Sequence, residues 1–204
     1  MRSRNQPAVG WRIWRMRGGR LWSWVLDYAW ERGQLEASCM LNQASTRAAL
    51  FVQREPCVRS PGQHCQCGIW ALWDLGHCVA RARSHLSSVR AELVVGLIAG
   101  WGIVAIHGDE GFRAQRAAIL CLLTDSIWDK SLDPLCNRVA WWPVAGRWLR
   151  LLGRPRSTSA SLRRVAVEYA VPVLPLADAV RSGVLAEFGL SDQQLERARS
   201  VLGR

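Results

Sequence analysis

The chain has 204 residues, about half of them hydrophobic, and a formal net charge of +11. This length and composition fit one folded domain with a small addition, and they exclude a disordered chain or a fibre. The longest apolar stretch, Leu93 to Ile106, is shorter than the roughly 20 residues of a membrane-spanning helix, so we expect no membrane partner. The first residues contain no apolar signal segment, and we expect a cytoplasmic protein with reduced thiols.

The N-terminal part of the chain predicts a β-hairpin. Residues 9–16 and 20–26 alternate apolar and polar side chains on either side of Gly18 and Gly19, a pair that favours a tight hairpin turn. The next predicted elements are strands at 35–41 and 48–52, a Pro- and Gly-containing loop at 54–68, and a helix at about 69–86.

The central part predicts two long strands joined by a turn. Residues 93–106 predict a buried strand, in which Gly100 and Gly102 mark a bulge or a close backbone approach. A turn at 107–111 and a second strand at 112–123 follow, although the pattern toward the end of that strand also fits a helix. Residues 125–137 predict a loop.

The C-terminal part predicts helices. We expect helices at 161–170, 176–188 and 191–202, with Gly189 ending the second and a capping box of Ser191 and Gln194 beginning the third. The predicted fold is therefore α+β, a small bent antiparallel sheet or partial barrel with one crossing helix and a C-terminal helical appendage. The predicted domains are 1–152 for the sheet, 153–160 for a linker, and 161–204 for the three-helix appendage.

The positive charge is clustered. Residues 1–20 and 138–164 contain arginines and no acidic residue, and Lys130 is the only lysine in the chain. Such a surface attracts polyanions, most commonly nucleic acid. There are two alternative explanations. One is an arginine-biased proteome in which these residues serve solubility, and the other is an acidic protein partner. The candidate nucleic-acid contacts are Arg12, Arg15, Arg17, Arg147, Arg150, Arg154 and Arg156.

The chain contains 12 tryptophans, and their clusters coincide with the arginine clusters. Trp can stack on bases while a neighbouring Arg contacts phosphate. Trp also fills the cores of sheets, and alternate positions such as Trp22 and Trp24 place both rings on one face of a strand. We expect most of the rings to lie in the core. An exposed Trp patch would instead indicate a protein-interaction adaptor.

Four of the seven cysteines gather with histidines in one stretch. The candidate metal ligands are Cys57, His64, Cys65 and Cys67, a set that could hold zinc. The usual C-x2-C spacing is absent, and a loop with small apolar thiols and no cofactor is the alternative.

A second group, Trp101, His107 and Arg113, surrounds the predicted central turn. His107 and Arg113 could bind an anion in a small-ligand pocket, or His107 could act as a general base. In the alternative interpretation, Asp109 or Glu110 simply pairs with Arg113 across the turn. The common nucleotide-binding, zinc-protease and serine-hydrolase motifs are missing, so the sequence does not assign an enzyme class.

Three motifs resemble an actinobacterial-type family with no established activity. These motifs are G-W-R-I-W at 10–14, C-Q-C-G-I-W-A at 65–71, and W-G at 101–102 followed by His107 and G-F-R-A at 111–114. Trp70 stands where that family has tyrosine, one extra residue lies in the turn, and Gln115 replaces a glutamate. The resemblance provides a grouping and no mechanism. From the residues themselves, we expect a basic module that binds nucleic acid or another polyanion, with the pocket and the adaptor as alternatives.

Overall fold

The computed structural model describes residues 6–24, 28–39, 57–86, 92–124 and 159–202. The fold is α+β, as predicted, with seven strands and four α-helices in the described part of the chain. The strands are β1 (Ala8–Arg17), β2 (Arg20–Ser23), β3 (Gln34–Glu36), β4 (Ile69–Leu72), β5 (Glu92–His107), β6 (Gly111–Thr124) and β7 (Val173–Pro175). The helices are α1 (Leu75–Leu86), α2 (Ser159–Tyr169), α3 (Leu176–Ser182) and α4 (Asp192–Leu202), with a short 3-10 helix at Val184–Ala186.

Four strands close into an irregular ring. β1 pairs with β5, β5 with β6, β6 with β4, and β4 with β1, each pair being antiparallel. The two longest strands, β5 and β6, bend at irregularities near Leu97 and between Trp101 and Val104. Gly102, at a positive φ of 79°, lies within the second irregularity, which confirms the predicted bulge.

Phe112 fills the inside of the ring because two glycines make room for it. A Cβ on Gly100 would lie 2.6 Å from Phe112 Cε2, and a Cβ on Gly10 would lie 2.9 Å from Phe112 Cε1. These glycines permit the close approach that any larger side chain would prevent, as predicted for Gly100.

The second edge of β6 is shared by three short strands. β4 pairs along Gly111–Ala114, β3 along Arg116–Ala118 and the parallel β7 along Leu122–Thr124. The C-terminal residues thus contribute a strand to the main sheet. Two apolar clusters cover opposite faces of this sheet, one including α1, α3 and α4, the other including α2.

Two predicted helix boundaries are wrong. Residues 69–72 form β4 because they pair with β1 on one side and β6 on the other, and α1 begins only after Asp74, whose Oδ1 accepts the N–H of His77 at 3.1 Å. The predicted helix 176–188 ends at Gly183, which adopts a φ of 76° and takes the terminating role expected of Gly189.

Several predicted features are confirmed by the described residues. The hairpin of β1 and β2 turns at Gly18 and Gly19, both at positive φ. The capping box is reciprocal, since Ser191 N–H donates to Gln194 Oε1 at 3.0 Å and Gln194 N–H donates to Ser191 Oγ at 3.3 Å. The strand at 48–52, the loop at 125–137 and most of the linker at 153–160 lie outside the described residues. Within the described ranges, we find no helix with both the length and the apolar character needed to cross a bilayer.

Candidate metal centre

Four cysteine thiols meet where β3 and β4 adjoin on the edge of β6. Cys39 follows β3, whereas Cys57, Cys65 and Cys67 lie in the loop that leads into β4. Because β3 ends opposite Arg116 and β4 begins opposite Ala114, the two chain segments converge at this point. All four Sγ atoms lie within 4.8 Å of one another.

The sequence predicted three of these four cysteines. His64 is exposed and is not part of the cluster, and Cys39 takes the fourth position. Cys39 was missed because it lies in a separate predicted strand, and only the pairing of that strand with β6 brings its thiol to the loop. All six cysteines in the described part of the chain are free thiols.

The spacing of the sulfur atoms suits a tetrahedral metal ion. Cys39 and Cys65 Sγ are 3.7 Å apart, and Cys57 and Cys67 Sγ are 3.2 Å apart. A tetrahedral zinc site with Zn–S bonds of about 2.3 Å requires sulfur atoms about 3.8 Å from each other. The observed separations need only small side-chain adjustments to reach that value.

Backbone N–H groups also point at the sulfur atoms. The Gly62 N–H donates to Cys67 Sγ at 3.4 Å, and the Cys67 N–H donates to Cys65 Sγ at 3.4 Å. Burial alone raises the pKa of Cys67, but Ser60, Gly62 and the neighbouring thiols stabilise the thiolate and lower it to about 7. Burial and the neighbouring thiols raise the pKa of Cys57 to about 12 and also raise that of Cys65, so the contacts favour the thiolate form, which binds metals, at Cys67 but not at Cys57 or Cys65.

Arg113 fixes the ligand loop from β6. Its Nη1 donates to the carbonyl oxygen of Cys65 and, at 3.0 Å, to that of Cys67. Its Nε donates to His107 Nε2 at 2.6 Å. The side chain is only 4% exposed, and no carboxylate in the described ranges lies within ion-pair distance of it. A guanidinium held in this way positions two candidate ligands and carries a buried positive charge.

The structure brings His107 and Arg113 together, as predicted. The His107 ring stacks on Trp70 with a centroid distance of 4.6 Å, and the Arg113 guanidinium lies 5.4 Å from the Trp70 ring centroid. Burial and the charge of Arg113 lower the pKa of His107. Trp101 lies elsewhere, opposite Arg116, and packs against the apolar cluster that includes α1.

The ion pair expected across the central turn is formed by a different arginine. Glu110 pairs with Arg81 of α1, so it does not neutralise Arg113. The donors of Arg113 are directed at His107 and at the loop carbonyls, so its side chain forms hydrogen bonds inside the protein. The sequence could not show this because the loop and β6 are far apart along the chain.

The described candidate nucleic-acid residues divide into two groups. Arg12 is held inside: its Nη1 donates to the Trp70 carbonyl oxygen, and its guanidinium lies 4.9 Å from the Trp30 ring centroid. Arg15 is half-buried with its Nε donating to the Ser23 carbonyl oxygen at 3.0 Å, whereas Arg17 is exposed. Arg147, Arg150, Arg154 and Arg156 lie outside the described residues.

Comparison of the chain with protein-family models, with curated proteins and with solved structures gives no match. The function therefore has to be argued from the geometry of the site.

Proposed function

We propose that the protein binds one zinc ion through Cys39, Cys57, Cys65 and Cys67, and that this ion stabilises the fold. The observation that carries the proposal is the mutual approach of four sulfur atoms within 4.8 Å. Four thiolates complete a tetrahedral shell, which is typical of structural zinc sites and leaves no position open for a substrate.

The position of the cluster supports a structural role. Two short strands share one edge of β6, and neither is long enough to be held firmly by its own ladder hydrogen bonds. An ion that links Cys39 after β3 to Cys67 before β4 would tie both strands to the sheet. Metal binding would thereby contribute directly to folding.

The buried charge of Arg113 supports the same proposal. Four protonated thiols leave this charge without a compensating anion, whereas zinc with four thiolates carries a net negative charge. Arg113 also donates to the carbonyl groups of two ligands, as outer-shell residues of metal sites commonly do.

Elemental analysis of protein purified without added metal tests the proposal. We expect about one zinc per chain, and a chelator should lower the melting temperature by about 6–12 °C if the ion contributes about 3 kcal/mol. Cys65→Ala should lose the metal. Cys121→Ala, which removes another buried thiol outside the cluster, should retain it.

Two results would contradict the zinc assignment. One is a wild-type protein with little zinc and a melting temperature unaffected by chelator. The other is stoichiometric iron, which a tetrahedral set of four thiolates also accepts.

We infer a second function, binding of nucleic acid, from the exposed end of the β1–β2 hairpin. In the register of this hairpin, Arg15 lies opposite Trp22 and Arg17 lies opposite Arg20. Residues two apart in a strand share a face, so these four side chains lie on one face. Arg17 and Arg20 are exposed and form no ion pair with a carboxylate in the described ranges.

This face combines the two groups used by single-stranded nucleic-acid binders. The arginines offer contacts to phosphate, and the half-buried Trp22 ring offers a surface for stacking. Arg12 is not part of it, because its guanidinium is held between Trp30 and the Trp70 carbonyl group.

Fluorescence anisotropy with labelled single-stranded DNA and RNA tests this second function. Affinity should fall by orders of magnitude between about 50 and 200 mM salt if several phosphates are contacted. The double variant Arg17→Gln, Arg20→Gln should bind more weakly and reduce the salt slope by about 1.4. A matched loss of two exposed charges in Arg181→Gln, Arg199→Gln should change binding little. Equal effects of the two double variants would contradict a hairpin site.

A further inference from the structure

The cysteine cluster contains two pairs of close sulfur atoms, and one of these pairs is placed to form a disulfide. Cys57 and Cys67 Sγ are 3.2 Å apart, closer than the 3.7 Å between Cys39 and Cys65 Sγ. A disulfide bond is about 2.05 Å long, so the sulfur atoms of Cys57 and Cys67 have to approach by only about 1 Å. Both residues lie in the loop before β4, and their approach therefore requires no movement of β3.

The surroundings of the Cys57–Cys67 pair hold one sulfur atom in place and leave the other within reach of solvent. Arg113 donates to the Cys67 carbonyl oxygen at 3.0 Å, and the Gly62 N–H donates to Cys67 Sγ at 3.4 Å. Cys67 is 2% exposed, whereas Cys57 is half-buried and is followed by Val58, which is 98% exposed. A small oxidant can thus reach Cys57 from the surface, with the fixed thiol of Cys67 directly behind it.

We propose that a peroxide oxidises Cys57, that Cys67 then forms a disulfide with it, and that the metal is released. The release of metal rests on the zinc site proposed above, because coordination keeps both cysteines as thiolates, the form that peroxides oxidise. Coordination matters most at Cys57, since burial and the neighbouring thiols raise its pKa to about 12 when no metal is bound.

The atoms and electrons of this reaction balance with one molecule of hydrogen peroxide. The Cys57 thiolate attacks a peroxide oxygen, the O–O bond breaks, and hydroxide leaves while Cys57 becomes a sulfenic acid. The Cys67 thiolate then attacks the Cys57 sulfur, the S–O bond breaks, and a second hydroxide leaves. Each sulfur atom loses one electron, and the peroxide gains both.

Oxidation of the Cys57–Cys67 pair would separate β3 from the loop before β4. The disulfide leaves only Cys39 and Cys65 as thiolates, whereas a structural zinc site uses four ligands. β3 is three residues long, and its link to the loop through Cys39 would be lost with the ion. A thiol reductant and added zinc should restore the original state, because thiol–disulfide exchange is reversible.

Peroxide treatment of the protein as purified tests this inference. Zinc content is measured first, and release of zinc after addition of hydrogen peroxide is followed with a chromophoric chelator. Trypsin cleaves after Arg59, between the two cysteines, so the disulfide joins two peptides that mass spectrometry identifies without reduction. Fragmentation of the joined peptides distinguishes Cys67 from Cys65. We expect a Cys57–Cys67 disulfide and release of about one zinc for each disulfide formed, both reversed by dithiothreitol and zinc.

Two variants that each keep three cysteines of the cluster test which sulfur atom completes the disulfide. Cys67→Ser removes the partner of Cys57, so no peptides joined through Cys57 should form. Cys65→Ser also removes one metal ligand but keeps the Cys57–Cys67 pair, so it is the matched control and should form the disulfide. Equal yields of joined peptides from the two variants would contradict the assignment of the pair.

The zinc content measured before oxidation separates failure of this inference from failure of the zinc site. If the wild type contains zinc but forms no Cys57–Cys67 disulfide, or keeps its zinc after the disulfide forms, the redox inference is overturned and the zinc site stands. If the wild type contains no zinc and still forms this disulfide, the oxidisable pair stands and the zinc site alone fails. If it contains no zinc and forms no such disulfide, both are overturned.

Discussion

Replacement of Arg113 by lysine separates its hydrogen bonds from its charge. Arg113→Lys keeps the positive charge in the same place, but a single ammonium group cannot reproduce the planar fork that reaches Cys65, Cys67 and His107 together. The variant therefore tests whether the guanidinium holds the cysteine loop against β6.

The magnitude follows from the three hydrogen bonds. Each bond from a charged donor contributes about 1.5–3 kcal/mol, and lysine can retain one of them. Only the bond to Cys67 is fully buried, so water can replace part of the loss at the other two acceptors. We expect a loss of about 3 kcal/mol in the free energy of unfolding, equivalent to a fall of about 6–12 °C in melting temperature.

Urea unfolding followed by tryptophan fluorescence measures this loss, and competition with a chromophoric chelator measures zinc affinity. Because outer-shell residues orient the metal ligands, we expect zinc binding to weaken about 10- to 100-fold. Arg116→Lys is the matched control on the same strand. Arg116 is about half exposed and pairs with Glu36 at 3.5 Å, so its replacement should change stability by less than about 0.5 kcal/mol.

An Arg113→Lys variant as stable as the wild type, or no less stable than Arg116→Lys, would show that the guanidinium does not hold the cysteine loop against β6. Loss of stability with unchanged zinc affinity would show that Arg113 supports the sheet and does not position the ligands.

Three further predictions concern the fold around the site. Gln194→Ala removes half of the capping box and a buried hydrogen bond to β1, so it should lower the free energy of unfolding, measured with urea, by about 2 kcal/mol. Replacement of its exposed neighbour, Gln193→Ala, should change that free energy little. Gly100→Ala should lower the free energy of unfolding by about 1–3 kcal/mol because its Cβ would lie 2.6 Å from the Phe112 ring. Adding Phe112→Leu should relieve part of that loss, so the double variant should lose less than the sum of the two single losses, and a loss equal to that sum would argue against the clash. Burial and the neighbouring guanidinium lower the pKa of His107, so the unfolded chain takes up its proton more readily, and stability should fall as the pH drops below about 6.5. His107→Gln should make the pH dependence of the urea midpoint shallower there, and an unchanged slope would contradict the argument.

Local features of the fold could be predicted from the sequence because their causes are local. The Gly18-Gly19 turn depends on residues that adopt positive φ, and the capping box depends on Ser191 and Gln194 three positions apart. The β-branched residues and glycines of 93–106 predicted the first long strand, and the turn after it predicted the return of the chain as the second. For the same reason, three of the four clustered thiols were found in one short segment.

The boundaries that failed were decided by tertiary pairing. Residues 69–72 have an apolar spacing compatible with a helix, but they form β4 because β1 and β6 both offer unpaired edges on either side of them. A strand that completes a ring satisfies its backbone groups with two neighbours, and no pattern within four residues reveals those neighbours.

The site itself was determined only by the tertiary structure. Cys39 reaches the other thiols because β3 and β4 share one edge of β6, and Arg113 reaches the loop carbonyls from near the start of that strand. Sequence alone determined which residues could bind a metal or an anion, since that is a property of side-chain chemistry. Which of them meet depends on strand register, where a shift of one residue turns every side chain to the opposite face of the sheet.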